Sequence, residues 1–324
     1  NRQAGNTAET LRSIEALADD RTLVVVGGQQ AGLFTGPLLV ISKAISVLKV
    51  AERASRELGR TVLPVFWIAG EDHDWDEVNH YYTMAEDDQP AKHRLAVADD
   101  AAGRASVSRV RVRPEEWEQA LCELNESLAD TEFKPRLMER LRAIHAEAAG
   151  LSDAFARILA WLFGRHGLIV VDAADPHLRV LESDMFLRLL EQGPALSDAI
   201  VRGRMDVEAR GYRAQAEADA DAAHLFVFDE GRRTLLYRSD DGRFRDRNGR
   251  RTFTMDELRE LARRHPERLS NAALSRPLMQ DYLFPVLATV LGPAEIAYWG
   301  MLKSAFELFG MRMPIIVPRT EFTL

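Results

Sequence analysis

Val24-Val25-Val26-Gly27-Gly28-Gln29-Gln30-Ala31-Gly32-Leu33-Phe34-Thr35-Gly36-Pro37 decides the fold. A β-branched apolar run breaks into a glycine-rich loop, and a long apolar helix follows. Thr22 to Val26 is apolar without alternation, as in a parallel strand covered on both faces. Pro37 stands at a helix start, where its missing N–H does no harm. The helix is predicted from Leu38 to Leu58, with Ile41, Ala44, Ile45, Leu48 and Ala51 as its buried stripe and Gly59 as its stop. A second strand, Val62 to Ala69, runs into Gly70-Glu71-Asp72-His73-Asp74. The unit is strand, loop, helix, strand with a right-handed crossover. In an open α/β sheet ligands bind at the carboxyl ends of the strands. The turn after the first strand and the acidic segment after the second are therefore expected to converge on one cleft.

Further out, the alternation is interrupted twice. Lys92 to Val97 and Ala105 to Val112 read as short strands, and helices cover Pro114 to Glu147. Leu151 to His166 is an amphipathic helix, Leu168 to Asp172 a buried strand, and Pro176 opens a helix to Glu191. Ala195 to Gly211 reads as helical. His224 to Phe228 and Thr234 to Arg238 alternate as strands, with Asp241-Gly242 and Asn248-Gly249 as turns. Thr254-Met255-Asp256-Glu257 opens a helix. Glu295 to Phe309 reads as one helix and Pro314 to Val317 as a last strand. The expected core is 21–84, 151–194 and 252–324, with insertions at 85–150 and 195–251, the second bearing a β-hairpin. Residues 1–20 read as a truncated leading helix, and the abrupt end at Phe322-Thr323-Leu324 reads the same way, as a piece of a longer protein.

The 324 residues are 46% hydrophobic and 28% charged, with a formal charge of −8. That charge argues against nucleic acid as partner, because phosphate backbones demand a basic face. No apolar run approaches the roughly 20 residues of a membrane span. One cysteine, Cys122, excludes an internal disulfide and fits a reducing cytoplasm. It reads as a packed, inert thiol.

The first loop has no Gly-Lys-Ser/Thr and is not a P-loop. Its glutamines stand where a dinucleotide fingerprint needs small residues. Gln29 and Gln30 both donate and accept hydrogen bonds, Thr35 and Gly36 add polar backbone, and the helix N-terminus favours anions. Capping of the helix is the plainer alternative. Lys43 either reaches a phosphate or carboxylate or snorkels to solvent. In the second loop, Glu71, Asp72, Asp74, Asp76 and Glu77 surround His73 and repel one another unless compensated. Glu71, Asp72 and Asp74 suit an amine, and His73 beside a carboxylate suits a general base. A metal held by His73, Asp74 and His80 and a solvated capping loop are the alternatives. A third polar group is Ser270-Asn271 with Ser275-Arg276-Pro277-Leu278-Met279-Gln280. Arg276 before a proline is expected in an extended position, fit to hold an anion. In Gly292-Pro293-Ala294-Glu295-Ile296-Ala297-Tyr298-Trp299, Glu295 compensates a helix dipole, and the aromatics read as core.

Four segments, in this order, resemble the BshC family of bacillithiol biosynthesis. They are Gly27 to Pro37; Val65-Phe66-Trp67-Ile68-Ala69-Gly70-Glu71-Asp72-His73-Asp74 with Glu77-Val78-Asn79-His80; Arg276 to Gln280; and Gly292 to Trp299. The resemblance implies an α/β fold: a Rossmann-like core with a parallel sheet, similar to nucleotidyl transferases, with two connecting insertions. It also implies a C-terminal coiled coil, absent from this chain, that makes the full-length protein a homodimer. The implied activity is a cytoplasmic ligase joining cysteine to the amine of glucosaminyl malate. ATP or ADP is the candidate cofactor, with its identity open. The expected catalytic residues are His73 with Asp72 and Asp74. The expected substrate contacts are Gln29, Gln30, Thr35, Gly36, Lys43, Glu71, Asn79, His80, Asn271, Arg276, Gln280, Glu295 and Tyr298. A metal-dependent hydrolase or transferase using the loop 71–80, and a non-catalytic metabolite-binding module, are the competing functions.

Overall fold

The computed structural model describes residues 5–84, 89–214 and 219–322. Outside them lie the first four residues of the expected leading helix, the start of the first insertion at 85–88, residues 215–218, and Thr323-Leu324. The chain divides into two compact units. One runs to Ala173 and takes in Thr320 onward; the other is Ala174–Arg319.

The first unit opens with α1 (Ala8–Ala16), capped by the Thr7 hydroxyl, which accepts from Thr10 N and donates to Gly164 O. β1 (Leu23–Gln29), α2 (Leu39–Leu58) and β2 (Val62–Ile68) form the expected parallel unit, in register from Leu23 with Val62 to Gln29 with Ile68. β1 is longer than the apolar run predicts. Gly27, Gly28 and Gln29 stay in the strand because Phe66, Trp67 and Ile68 carry the ladder through them. Val24 to Val26 and Val65 to Ile68 are at most 1% exposed, so both faces of these strands are covered. Burying each such side chain contributes about 2 kcal/mol.

α2 ends where expected, at Gly59 in the left-handed conformation. Its buried stripe is Val40, Ala44, Val47 and Ala51, and Ile45 is 40% exposed. The helix is rotated from the expected stripe because Lys43, 1% exposed, turns inward to donate to Gly28 O and so brings Ser42 and Ser46 to the buried side. After α3 (Trp75–Val78) come β3 (His80–Met84) and β4 (Pro90–Arg94), an antiparallel hairpin. Ala105 to Val112 is not a strand. Around its single 3-10 turn the backbone bonds to the acidic loop instead: Val107 N donates to Asp72 O at 2.6 Å and Ser108 N to Gly70 O at 3.0 Å. α4 (Pro114–Ser127) and α5 (Lys134–Glu147) follow. Cys122 on α4 is exposed rather than packed, because it faces Glu118 on the outer side of the helix. α6 (Leu151–Phe163) leads to β5 (Ile169–Asp172), which pairs in parallel with β2. β2 thus lies between β1 and β5, with α2 packed on β1 and β2 and α6 on β5.

The second unit begins with α7 (Pro176–Glu191) and α8 (Gly193–Ala209). β6 (Ala222–Asp229), β7 (Arg232–Arg238), β8 (Phe244–Arg245) and β9 (Thr252–Phe253) form an antiparallel sheet, with Gly242 and Gly249 at positive φ in the expected turns. α9 (Met255–Arg264) starts at the Thr254 capping box. β10 (Leu269–Asn271) adds to the β6 edge; three residues are too few to show alternation in sequence. α10 (Arg276–Leu283) makes Arg276 helical, not extended, because the following proline sits in the first turn, where no N–H is needed. β11 (Val286–Leu291) precedes two helices, α11 (Pro293–Trp299) and α12 (Lys303–Leu308), where one was expected. The break at Gly300 lets the Met301 carbonyl press against Gly203 of α8, where a Cβ would collide. β12 (Ile315–Pro318) pairs in parallel with β11. No described helix is long and apolar enough to cross a membrane.

Candidate active site

The site is built where two parallel strands end side by side. β1 delivers Gln29 and Gln30, β2 delivers residues 69–74, and Ala69 N donates to Gln29 O at 2.9 Å, adding a rung beyond the strands. Gln30 Nε2 then donates to Glu77 Oε2 at 2.8 Å and lies 3.4 Å from Asp72 Oδ2. Asp72 Oδ1 accepts from His73 N at 2.8 Å and lies 3.5 Å from His73 Nδ1. Asp74 caps α3 by accepting from Glu77 N at 3.2 Å. The loop therefore caps a helix and also faces a cavity of about 470 Å³ lined by residues 72–77 with Ala102 and Gly103. Burial, then the charges of Asp72 and Asp74, push the Glu77 carboxyl above the ordinary carboxylate range, and the Gln30 hydrogen bond opposes them.

The loop is braced from behind. A Cβ at Gly70 would collide with Ser108 Oγ and the Asp172 carboxylate. Ser108 Oγ donates to Asp172 Oδ2 at 2.8 Å and lies 2.9 Å from Ser152 Oγ. The third strand end, that of β5, thus supports the second. On the other side, Phe34, Thr35 and Gly36 are consecutively left-handed at φ 51°, 80° and 64°. For a β-branched residue such as Thr35 this is a strained conformation, costing on the order of 1–3 kcal/mol. Phe34 is held edge-on against Tyr81 and His145, with ring centroids 5.2 and 5.3 Å away.

The expected residues divide accordingly. Gln30, Asp72 and His73 meet directly, Asp74 flanks them, and Gln29 joins through its Nε2, 3.1 Å from Gln30 Oε1. Lys43 neither snorkels nor faces the cavity; its Nζ lies 2.7 Å from Gly28 O and 3.0 Å from Gln29 Oε1. Glu71 and Asn79 are buried, His80 starts β3, and none of the three lines the cavity. Within the second unit, Arg276 Nη2 donates to the Tyr298 hydroxyl at 2.6 Å. Asn271 and Gln280 are buried, and Glu295 accepts from Gly292 N at 2.8 Å as a helix cap. Among the described residues no three His, Cys, Asp or Glu side chains are grouped to hold a metal ion.

Sequence reasoning placed Glu77 in the acidic loop without singling it out, and gave no role to Ser108, Asp172, Ala102 or Gly103. Asp172 had a signal, as a carboxylate at the end of a predicted strand. Ser108 and Gly103 had none, since only the return of the chain over the loop brings them there.

A family model described as "Bacillithiol biosynthesis BshC, N-terminal Rossmann-like domain" matches residues 1–320. Relatives named "Putative cysteine ligase BshC" include the following three. The protein of Bacillus cytotoxicus is 39% identical over 98% of this chain and 58% of its own length. That of Geobacillus kaustophilus is 39% identical over 100% of this chain and 59% of its own. That of Geobacillus sp. WCH70 is 40% identical over 98% and 58%. The chain spans about three fifths of the length of the curated relatives it matches.

Proposed function

The chain belongs to the bacillithiol biosynthesis BshC family, and on that premise we propose that its strand-end cleft serves a ligase joining the carboxyl group of cysteine to the amine of glucosaminyl malate. The observation that carries this is the meeting of Gln30 with Asp72 and Glu77, beside His73, on the rim of one cavity. Acidic side chains there attract an ammonium group. His73, 3.5 Å from Asp72, takes the proton that the amine must lose before its lone pair attacks the acyl carbon. As the C–N bond forms and the leaving group departs, Asp72 stabilises the imidazolium. Positioning of the two reactants supplies much of the rate.

Amide formation in water needs an activated acyl donor. The residues of the first loop do not fit a nucleotide phosphate. The loop lacks the P-loop lysine, and Lys43 is turned inward onto Gly28 O and Gln29 Oε1. The chemistry assigned to this cleft is therefore the amine half of the reaction.

The test is His73→Ala in the full-length protein, with product followed by mass spectrometry. Loss of a general base lowers kcat by roughly 100-fold or more, with the thermal melt unchanged. Near-normal turnover removes His73 from the mechanism. Binding of the sugar malate by the unaltered protein without any product formation would leave a metabolite-binding module.

A further inference from the structure

Lys43, Gln29 and Gln30 form a directed row. Lys43 Nζ lies 3.0 Å from Gln29 Oε1, Gln29 Nε2 lies 3.1 Å from Gln30 Oε1, and Gln30 Nε2 lies 2.8 Å from Glu77 Oε2 and 3.4 Å from Asp72 Oδ2. An ammonium group only donates, so the amide oxygen of Gln29 must face it. That leaves the Gln29 NH₂ to face Gln30, whose oxygen must accept, and turns the Gln30 NH₂ toward the carboxylates. Reversing either amide would set oxygen against oxygen. Lys43 is 1% exposed, so water does not compete at the head of the row, and its second bond, to Gly28 O at 2.7 Å, ties it to β1, which carries Gln29 and runs straight into Gln30.

We propose that Lys43 is a positioning residue: it fixes the amide polarity of Gln29 and Gln30, and through them holds Glu77 and Asp72 as hydrogen-bonded carboxylates facing the substrate amine. The role assigned to the carboxylates rests on the amine-activating reading above; the polarity of the row does not. Glu77 becomes a substrate-facing group of the site beside Asp72. The Gln30 donor offsets the burial and the like charges that work against ionised Glu77.

Gln29→Glu in the full-length protein is the decisive variant. It keeps an acceptor for Lys43 but removes the donor to Gln30, which must then flip its amide. Two readouts apply: the pH dependence of kcat/KM, and the side-chain amide signals of protein labelled with ¹⁵N in its glutamine side chains. Expected are displaced Gln30 amide signals and an acidic limb moved up by about one pH unit, hence roughly ten-fold lower kcat/KM at pH values on that limb. Lys43→Met has the same effects, and Lys43→Arg, which restores a buried donor, reverses most of them. If Lys43→Met does not fold, Gln29→Glu still decides. Unmoved Gln30 signals with an unmoved acidic limb overturn the row, even where His73 proves essential. Displaced signals in an enzyme indifferent to His73→Ala uphold the row and sink the catalytic reading instead.

Discussion

Each unit contains a row of polar side chains headed by a cation, and the two rows end differently. In the first, Lys43 passes through Gln29 and Gln30 to carboxylates at an open cavity. In the second, Arg238 donates to Ala222 O at 2.9 Å and to Ser197 Oγ at 2.9 Å, and Ser197 Oγ lies 3.2 Å from Nε2 of His224, 4% exposed. In both, backbone carbonyls and uncharged side chains accept from the cation, as hydrogen-bonding groups withdrawn from water require partners. The first row ends on carboxylates that line an open cavity, the surface on which the proposed amine chemistry depends. The second ends on an imidazole that cannot reach solvent, so its consequence is stability. A buried polar row becomes a functional one only through what stands at its far end.

The largest expected effect breaks the first row at its support. Gly70→Ala forces a Cβ onto Ser108 Oγ and the Asp172 carboxylate. Overpacking of this kind costs about 2 kcal/mol, read from a denaturation midpoint. Moving the loop by an ångström costs roughly 100-fold in kcat. Wild-type turnover in Gly70→Ala would mean that the brace does not set the position of His73.

The second row is tested by pH. Burial, and then the Arg238 charge, push the His224 imidazole down to about 4 from its ordinary 6.5. The folded protein therefore refuses a proton that the unfolded chain accepts. The associated stability is complete above about pH 6.5 and is lost as pH falls toward about 4, amounting to roughly 3 kcal/mol. His224 holds φ 55°, which Asn tolerates, so His224→Asn should flatten this part of the stability curve in urea titrations from pH 7 to 4. Asp281 runs the other way. Burial raises its carboxyl to about 6 from 3.8, so its contribution is present below about pH 3.8 and lost as pH rises through 6. Asp281→Asn should therefore stabilise at pH 7 and change nothing near pH 3.5. If both variants shift stability equally at every pH, neither group titrates as its surroundings require.

The same contrast explains how much the sequence disclosed. The first row lies on a strand, a loop and a helix adjacent in the chain, with Val24 to Val26, Pro37 and Gly59 marking their limits. That is why the parallel unit and the meeting of Gln30 with the acidic loop were legible. The rotation of α2 was not, because it depends on Lys43 finding Gly28 O, an acceptor that hydrophobic spacing ignores. Neither Ser108 nor the 3-10 turn around it was legible, because their backbone bonds go to a loop more than thirty residues earlier. In the second unit, Ser197 and His224 lie on α8 and β6, and only tertiary packing brings them together. β10 and the break between α11 and α12 are likewise set by neighbours: the edge of β6, and Gly203 on α8.

The smallest effect concerns a single link rather than a row. Arg276 Nη2 donates to the Tyr298 hydroxyl at 2.6 Å in a part-buried position. Tyr298→Phe removes that acceptor and keeps the ring. Water can take its place at a part-buried site, so the loss is about 1 kcal/mol in urea denaturation, below the range for fully buried charged partners. The same variant decides what Arg276 is for. If the tyrosine holds the guanidinium in place for an anionic group of the sugar malate, KM for that substrate rises several-fold in the full-length enzyme while kcat stays. If the bond only ties α10 to α11, stability falls by the stated amount and KM does not move, and Arg276 leaves the list of substrate contacts. Arg276 then belongs with the structural row of its own unit and not with the row headed by Lys43.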